Sequence, residues 1–387
     1  MKLKTTLALA ALALATSHAA AQTQGVSKNE IVIGSIQDLS GPLSALGKQV
    51  RYGMQLRVDE LNEQSGGIHG RKIKLLIEDA QYDPKKAVLA TQKLVNQDKI
   101  FAMIGHIGTT SNLAAMPIQF AKNVPNLYPI TSSKEMYEPF HKLKFGFAAS
   151  YFDQMRIFAP KLAKEKGAKK ACSLVQDDDF GAEVAAGAEA GLKTIGMSLA
   201  EKTTYKVGAT DFSSQVARMK AAECDFVVLG TVLRETIGTI GTSRRTGFNP
   251  VFLGSNAVYF DLVHKLGGAA MNGLYGTMTV QNPYLDDAAQ PLRFWANKYK
   301  TKFNEDPAVF SVYGYASIDA FIRAATAAGP NLTTDGFIKA METTPFPTDI
   351  FGSPEAKFGP AKRQGSDLTR LSQIQEGKWK VLTEYTH

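Results

Sequence analysis

Cysteine is almost absent from this chain: its 387 residues include two, Cys172 and Cys224. That scarcity excludes a disulfide-dense scaffold and a cysteine-ligated metal centre. Histidine is nearly as sparse, and His18, His69, His106, His141, His264 and His387 show no pair at metal-ligand spacing. Neither a G-x-S-x-G elbow nor a G-x-x-x-x-G-K loop occurs, so two common catalytic signatures are missing. No segment offers the ~18 uninterrupted apolar residues of a membrane span. The formal net charge is +8, yet there is no basic block interleaved with aromatics. Lysines such as Lys161, Lys164 and Lys166 follow a spacing that suits a solvated helix face, and no nucleic-acid partner is expected. With no catalytic constellation, the chain reads as a non-enzyme that uses neither cofactor nor metal.

What is present begins with a leader. Lys2 and Lys4 precede an apolar run over 7–15, and Ala19-Ala20-Ala21 supplies small residues for cleavage before Gln22. This is the pattern of a secretory signal, with 1–21 removed and the mature chain exported without a lipid anchor. Cys172 and Cys224 each open an expected strand. In an oxidising compartment they stand either as a disulfide or as two buried thiols.

Strand and helix patterns then alternate with little interruption. Strands are expected over 31–36, 72–77, 101–107 and 124–130, with helices over about 42–62, from Asp83-Pro84 and from about Ser111. The rhythm restarts with strands at 171–176, 198–204, 225–230 and 251–253, separated by helices. Further on come a strand at 275–280, helices at 291–303 and 312–328, and two last strands at 368–375 and 379–384. This order implies an α/β fold of two doubly wound parallel-sheet units in tandem.

The sharpest local signal is Gly105 to Ser111. A short apolar strand runs into Gly108-Thr109-Thr110-Ser111, where a helix begins. Unpaired backbone N–H groups and the positive end of the helix dipole meet at such a point and hold an anion without a full positive charge. A second hydroxyl cluster, Thr131-Ser132-Ser133, follows the next strand. Both tips converge on the edge where open α/β sheets bind ligands. Asp177-Asp178-Asp179 fits the charge preference of a following helix, and His106 reads as a structural histidine. Arg234, just past the strand at 225–230, is either a carboxylate partner or a solvated arginine at a helix start.

Taken in order, several short motifs resemble one family over essentially the whole mature chain. They are Asp38-Leu39-Ser40-Gly41-Pro42, Gly66-Gly67-Ile68, Gly70-Arg71-Lys72, Asp83-Pro84 and Ile104-Gly105-His106. Pro129 with its hydroxyls, Asp211-Phe212-Ser213 and Asp225-Phe226-Val227 complete the set. The chain is similar to the type I periplasmic solute-binding proteins of branched-chain amino acid ABC importers. The resemblance implies two domains, 29–148 with 282–351 and 149–281 with 352–387, joined by crossovers near 147–150, 279–282 and 351–353. It further implies hinge closure on a small ligand, membrane permease subunits as partners, a periplasmic location and a monomer.

Carried across by the same resemblance, the ligand-carboxylate contacts fall on Thr109 or Thr110, Ser132 and the backbone at Ile130, and the aromatic of the second jaw on Phe180. Asn256 stands where the family's amino-acid binders carry an acid for the ligand ammonium. Leu46 and Val232 stand in place of two pocket tyrosines. An ammonium buried without a charged partner costs several kcal/mol. The expected ligand is therefore a small carboxylate with an apolar or aromatic body, benzoate-like or phenylpropanoid. Two other readings stay open. One is a branched-chain amino acid, with Glu235 or Asp261 replacing the missing acid; the other is an exported sensor for a membrane receptor.

Overall fold

The structure is a computed structural model and describes residues 23–387. The expected leader over 1–21 lies outside the described residues. The first half runs β1 (Glu30–Gln37), α1 (Ser44–Gln64), β2 (Lys72–Asp79), α2 (Pro84–Gln92), β3 (Met103–Ile104), α3 (Thr109–Ala121), β4 (Asn126–Leu127) and β5 (Lys144–Phe145). These strands form a five-stranded, all-parallel sheet in the order β2-β1-β3-β4-β5. Asp83 caps α2 as its spacing from Pro84 predicts, accepting from the N–H groups of Lys85 at 2.7 Å and Lys86 at 3.2 Å.

The second half runs α4 (Tyr151–Lys166), β6 (Ala171–Gln176), α5 (Asp179–Lys193), β7 (Leu199–Tyr205), α6 (Ser213–Ala221), β8 (Phe226–Gly230), α7 (Leu233–Arg245), β9 (Val251–Gly254), α8 (Asp261–Gly267) and β10 (Tyr275–Met278). After α9 (Gln290–Phe303), α10 (Val309–Ala327) and α11 (Thr334–Thr343), the chain ends in β11 (Arg370–Gln375) and β12 (Lys378–Val381). The second sheet has seven strands in the order β12-β11-β10-β9-β8-β6-β7. It is not purely parallel as the sequence rhythm predicts: β11 joins β10 antiparallel, and β12 pairs back on β11. Gly377, between them at φ +73°, lets the chain turn within a tight loop. Parallel pairing would need a crossover helix, for which there is no room.

Cys172 and Cys224 form a disulfide that braces this sheet, with Cα atoms 5.9 Å apart, inside the range such a bond spans. Cys172 lies in β6, and Cys224 just precedes the neighbouring β8.

Helices α9 to α11 return to the first half. There α10 lies against α1 so closely that a Cβ on Gly53 would sit 1.9 Å from the Ser311 carbonyl oxygen. The same holds for Gly314 of α10, at 2.2 Å from the Val50 carbonyl. Only glycine permits this approach, and it fixes where α10 delivers Phe310 and Tyr313. Three segments therefore link the halves, after β5, after β10 and before β11. Among the described residues no helix is long and apolar enough to cross a membrane.

Candidate functional site

Strand tips of the first half build one wall of a cavity between the two sheets. Main-chain pairing beyond β3 and β4 continues as a parallel bridge between Ile107 and Ile130, and the Gly108 N–H donates to the Ile130 carbonyl at 3.2 Å. Gly108 has φ +92°, and a Cβ there would lie 2.8 Å from the Tyr82 ring. That left-handed conformation favours glycine. The helix it starts carries no side-chain cap. Its first internal bond is Asn112 N–H to the Gly108 carbonyl at 3.2 Å, so the N–H groups of the first turn await another acceptor. Around that point stand Thr109 and Thr131, whose hydroxyls are 2.7 Å apart, and Ser132.

The second half closes over these groups. The N–H of Tyr151, first residue of α4, donates to the Ser132 carbonyl at 2.8 Å. Phe180, in the first turn of α5, packs edge-on against the Tyr151 ring at 4.8 Å. Val232 and Ala257 add apolar surface. Asn256 donates through Nδ2 to the Ser132 hydroxyl at 2.9 Å, and its own N–H donates to Gln154 Oε1 at 2.9 Å. Its Oδ1 is buried without a partner. Phe310 and Tyr313 complete the enclosure from α10. About 530 Å³ is free of atoms out to the open mouth of this space, and among the described residues no Asp, Glu, Lys, Arg or His lines it.

Charged groups stand behind this wall; Glu183 and Asp178 are engaged there, whereas Glu235 Oε2 is buried without a hydrogen-bond partner. Glu183 of α5 accepts the Lys134 N–H at 3.1 Å across the cleft and the Phe152 N–H at 3.3 Å. Burial, with Glu135 nearby, pushes its carboxyl up to about 7. Asp178 caps α5 through the Gly181 N–H at 3.1 Å and takes the Gln176 amide at 2.6 Å; burial raises it as well. Glu235 is buried one turn beyond Val232 and is raised by burial, while Asp261 is paired with Lys265 at 2.6 Å in a different recess. Neither of the two acids weighed as an ammonium partner lines the cavity. His106 is fully buried with neither ring nitrogen bonded, and burial drops it to about 3, which keeps it neutral. Among the described residues no acidic, histidine or cysteine cluster could hold a metal ion.

Of the residues expected at the site, the fold brings Thr109, Ile130, Ser132, Phe180, Val232 and Asn256 to the cavity. It places the other three elsewhere. Leu46 is fully buried in the core, where with Val50 and Met54 it repeats at four-residue spacing along α1. Leu43, just before that helix, takes the cavity position. Thr110 turns away from Thr109 by one helical step and reaches Asp179 at 3.2 Å across the cleft. Arg234 is exposed in an outer groove with Ser40, Gln81 and Val207. The cavity also holds Tyr82, Phe147, Tyr151, Phe310 and Tyr313, which makes it richer in tyrosine than a replacement of pocket tyrosines predicts. Tyr82 and Phe147 lie in loops, and the others sit at the starts of α4 and α10. Their only sequence signal was position near an element boundary.

The profile of the periplasmic binding protein family matches residues 30–378. A Leu/Ile/Val/Thr-binding protein of Salmonella typhimurium is 29% identical over 278 residues, covering 72% of this chain and 73% of that protein. Among solved structures, the fatty acid ABC transporter substrate-binding protein of Thermomonospora curvata superposes with a TM-score of 0.84 at 21% identity, covering 94% of each chain. An ABC transporter solute-binding protein of R. palustris in complex with benzoate gives 0.81 at 19% identity, covering 92% of this chain and 96% of that one. With two parallel-dominated α/β units, three linking segments and a cavity between them, this chain belongs to the type I periplasmic binding proteins of the branched-chain amino acid family.

Proposed function

We propose that this protein captures a small carboxylate lacking an α-ammonium, with an apolar or aromatic body, for delivery to the permease of an ABC importer. The family assignment supports a solute-binding role with permease partners. One observation supports the choice of ligand: no charged side chain lines the cavity among the described residues. A carboxylate is still accommodated there. The uncapped start of α3 offers N–H groups and the positive end of a dipole, and Thr109, Thr131 and Ser132 add hydroxyls. An ammonium has no such counterpart. It would meet Asn256 Oδ1 and neutral hydroxyls, and the lost hydration costs several kcal/mol. Tyr151, Phe180, Val232 and Phe310 then suit a flat apolar body.

Binding would proceed by closure. The carboxylate docks on the first half, and Tyr151, Phe180 and Asn256 arrive with the second, so the ligand favours the closed state by contacts that the open state lacks. In the closed state the acceptor Asn256 Oδ1 is buried and unpaired, an arrangement that a ligand donor or a neutral polar group would relieve.

The second reading is a branched-chain amino acid, favoured by the Salmonella relative, whose ligands its name states. The fold does not choose, because structures of the same build carry names that include benzoate and fatty acid. Calorimetry with benzoate, cinnamate, leucine and valine separates the readings. Micromolar binding of an aromatic acid with no heat from leucine is the expected result; micromolar leucine with no response to the acids would reject the proposal.

A further inference from the structure

The ligand cavity has a neighbour on its solvent side. An outer groove, with about 1040 Å³ free of atoms out to its open mouth, is lined by Ser40 and Gln81 of the first half and by Val207 and Arg234 of the second. It is therefore the outer mouth of the same cleft. Among the described residues Tyr82 alone lines both spaces, so its side chain is the partition between them.

Tyr82 is fastened at both ends. Gln81 and Tyr82 follow β2 with φ +52° and +56°, left-handed conformations that residues other than glycine keep only where the surroundings hold them. Here the Gln81 N–H donates to Asp79 Oδ1 at 3.0 Å, its side-chain amide donates to the Ser40 hydroxyl at 2.8 Å, and its Oε1 accepts from Lys86 Nζ. The Tyr82 ring then lies over Gly108, where a Cβ would come within 2.8 Å of it. Beyond the ring, the hydroxyl accepts from Gln176 Nε2 at 3.4 Å across the cleft. Gln176 ends β6 and is fixed in turn by Asp178 at 2.6 Å and by the Tyr205 hydroxyl at 3.2 Å. The closed cleft thus has a fixed aromatic wall beside the uncapped start of α3.

We infer that Tyr82 is a specificity-determining residue that excludes ligands with bulk next to their carboxylate. The inference rests on the reading that the acid end of the ligand docks at the start of α3. With that end at Gly108 and Thr109, the Tyr82 ring borders the atoms that follow the carboxylate, whereas Phe180, Val232 and Phe310 enclose the remainder. A group attached beside the carboxylate has to displace a ring held from both halves, and overpacking of that kind weakens binding. Removing the ring joins the cavity to the groove and gives such a group somewhere to go.

The test measures benzoate and 2-methylbenzoate by calorimetry on the full protein and on Tyr82 variants. The wild type should bind the methylated acid more weakly by about 30-fold or more. Tyr82→Ala should bring the two affinities within about threefold of each other and should bind 2-methylbenzoate more tightly than the wild type does, a gain that structural damage does not produce. Tyr82→Phe keeps the ring and should keep the wild-type ratio. Tyr82→Leu, which leaves the loop an apolar side chain to pack, should fall between, and it decides the matter if Tyr82→Ala does not fold. Equal binding of both acids by the wild type, or an unchanged ratio in Tyr82→Ala and Tyr82→Leu, would overturn the inference. If the wild type binds leucine and no aromatic acid, the proposed ligand class fails, and leucine with 2-methylleucine then tests Tyr82 by the same ratios. Binding of neither pair by the wild type would overturn both.

Discussion

The two halves of the molecule face one cavity with different chemistry. The first presents an uncapped helix start and the hydroxyls of Thr109, Thr131 and Ser132. The second presents Phe180, Val232, Tyr151 and a single amide, Asn256. Their frameworks differ as well: the first sheet has five strands and is wholly parallel, whereas the second is wider, ends in an antiparallel pair and is braced by a disulfide. This asymmetry suits a division of labour in which one half grips a charged head and the other covers the body. Damage to the first half should therefore cost binding of every carboxylate alike. Damage to the second should depend on the shape of the ligand.

The largest effect is expected at the turn that opens the helix. Gly108→Val places a branched side chain at φ +92° and against the Tyr82 ring, and the loss should exceed about 3 kcal/mol. Calorimetry should show affinity falling more than 100-fold for all ligands, with the circular dichroism spectrum retained. Reducing the Cys172–Cys224 bond, which closes a loop with a sequence separation of 52, should destabilise the second half by about 2–4 kcal/mol. Thermal melts with and without reductant should separate into two transitions, with the earlier one belonging to that half.

A pH effect of similar size should arise at Glu183. Its carboxyl rises from 4.5 to about 7 on folding through burial, so between those values the folded protein holds a proton that the unfolded chain releases. Its contribution is fully present below pH 4.5 and is lost as pH climbs through 7, by about 3 kcal/mol. Glu183→Gln should flatten that part of the stability profile in urea titrations. A profile rising with pH in this window, and unaltered by the substitution, would contradict the assignment.

The smallest expected effects sharpen the division between the halves. Ser132→Ala should weaken benzoate and cinnamate by equal factors, about tenfold for a hydrogen bond to a charged group. Phe180→Ala should weaken them unequally, by about 1–2 kcal/mol for the ligand that covers more of that ring. Equal losses in both variants would remove the distinction between head and body.

Much of this arrangement was readable from the residues. The strand at 171–176 agrees with β6, and the Gly108-Thr109 turn announced itself because left-handed glycine and hydroxyls leave a local signature. Other features depend on tertiary placement. Leu46 and Leu43 differ by three residues, nearly one helical turn, and which of them faces the cleft depends on where α1 starts, between Pro42 and Ser44. Tyr82, Phe310 and Tyr313 reach the cavity because a loop folds over Gly108 and because α10 settles on α1 through Gly53 and Gly314. Neither cause is periodic, so neither is visible in a pattern of apolar residues. The β11–β12 pair was legible as two strands, and the family resemblance assigned them to the second half, but their antiparallel pairing was not legible, since the partners on β10 lie about 100 residues away in sequence.

The central claim is that the cavity accepts a carboxylate and has no place for an ammonium. The most direct measurement compares 3-phenylpropanoate with phenylalanine, which differ only in that group, by calorimetry on the same preparation. An uncharged cavity predicts that phenylpropanoate binds more tightly by on the order of 100-fold, the equivalent of about 3 kcal/mol for an unpaired buried charge. Equal affinities, or tighter binding of phenylalanine, would contradict it.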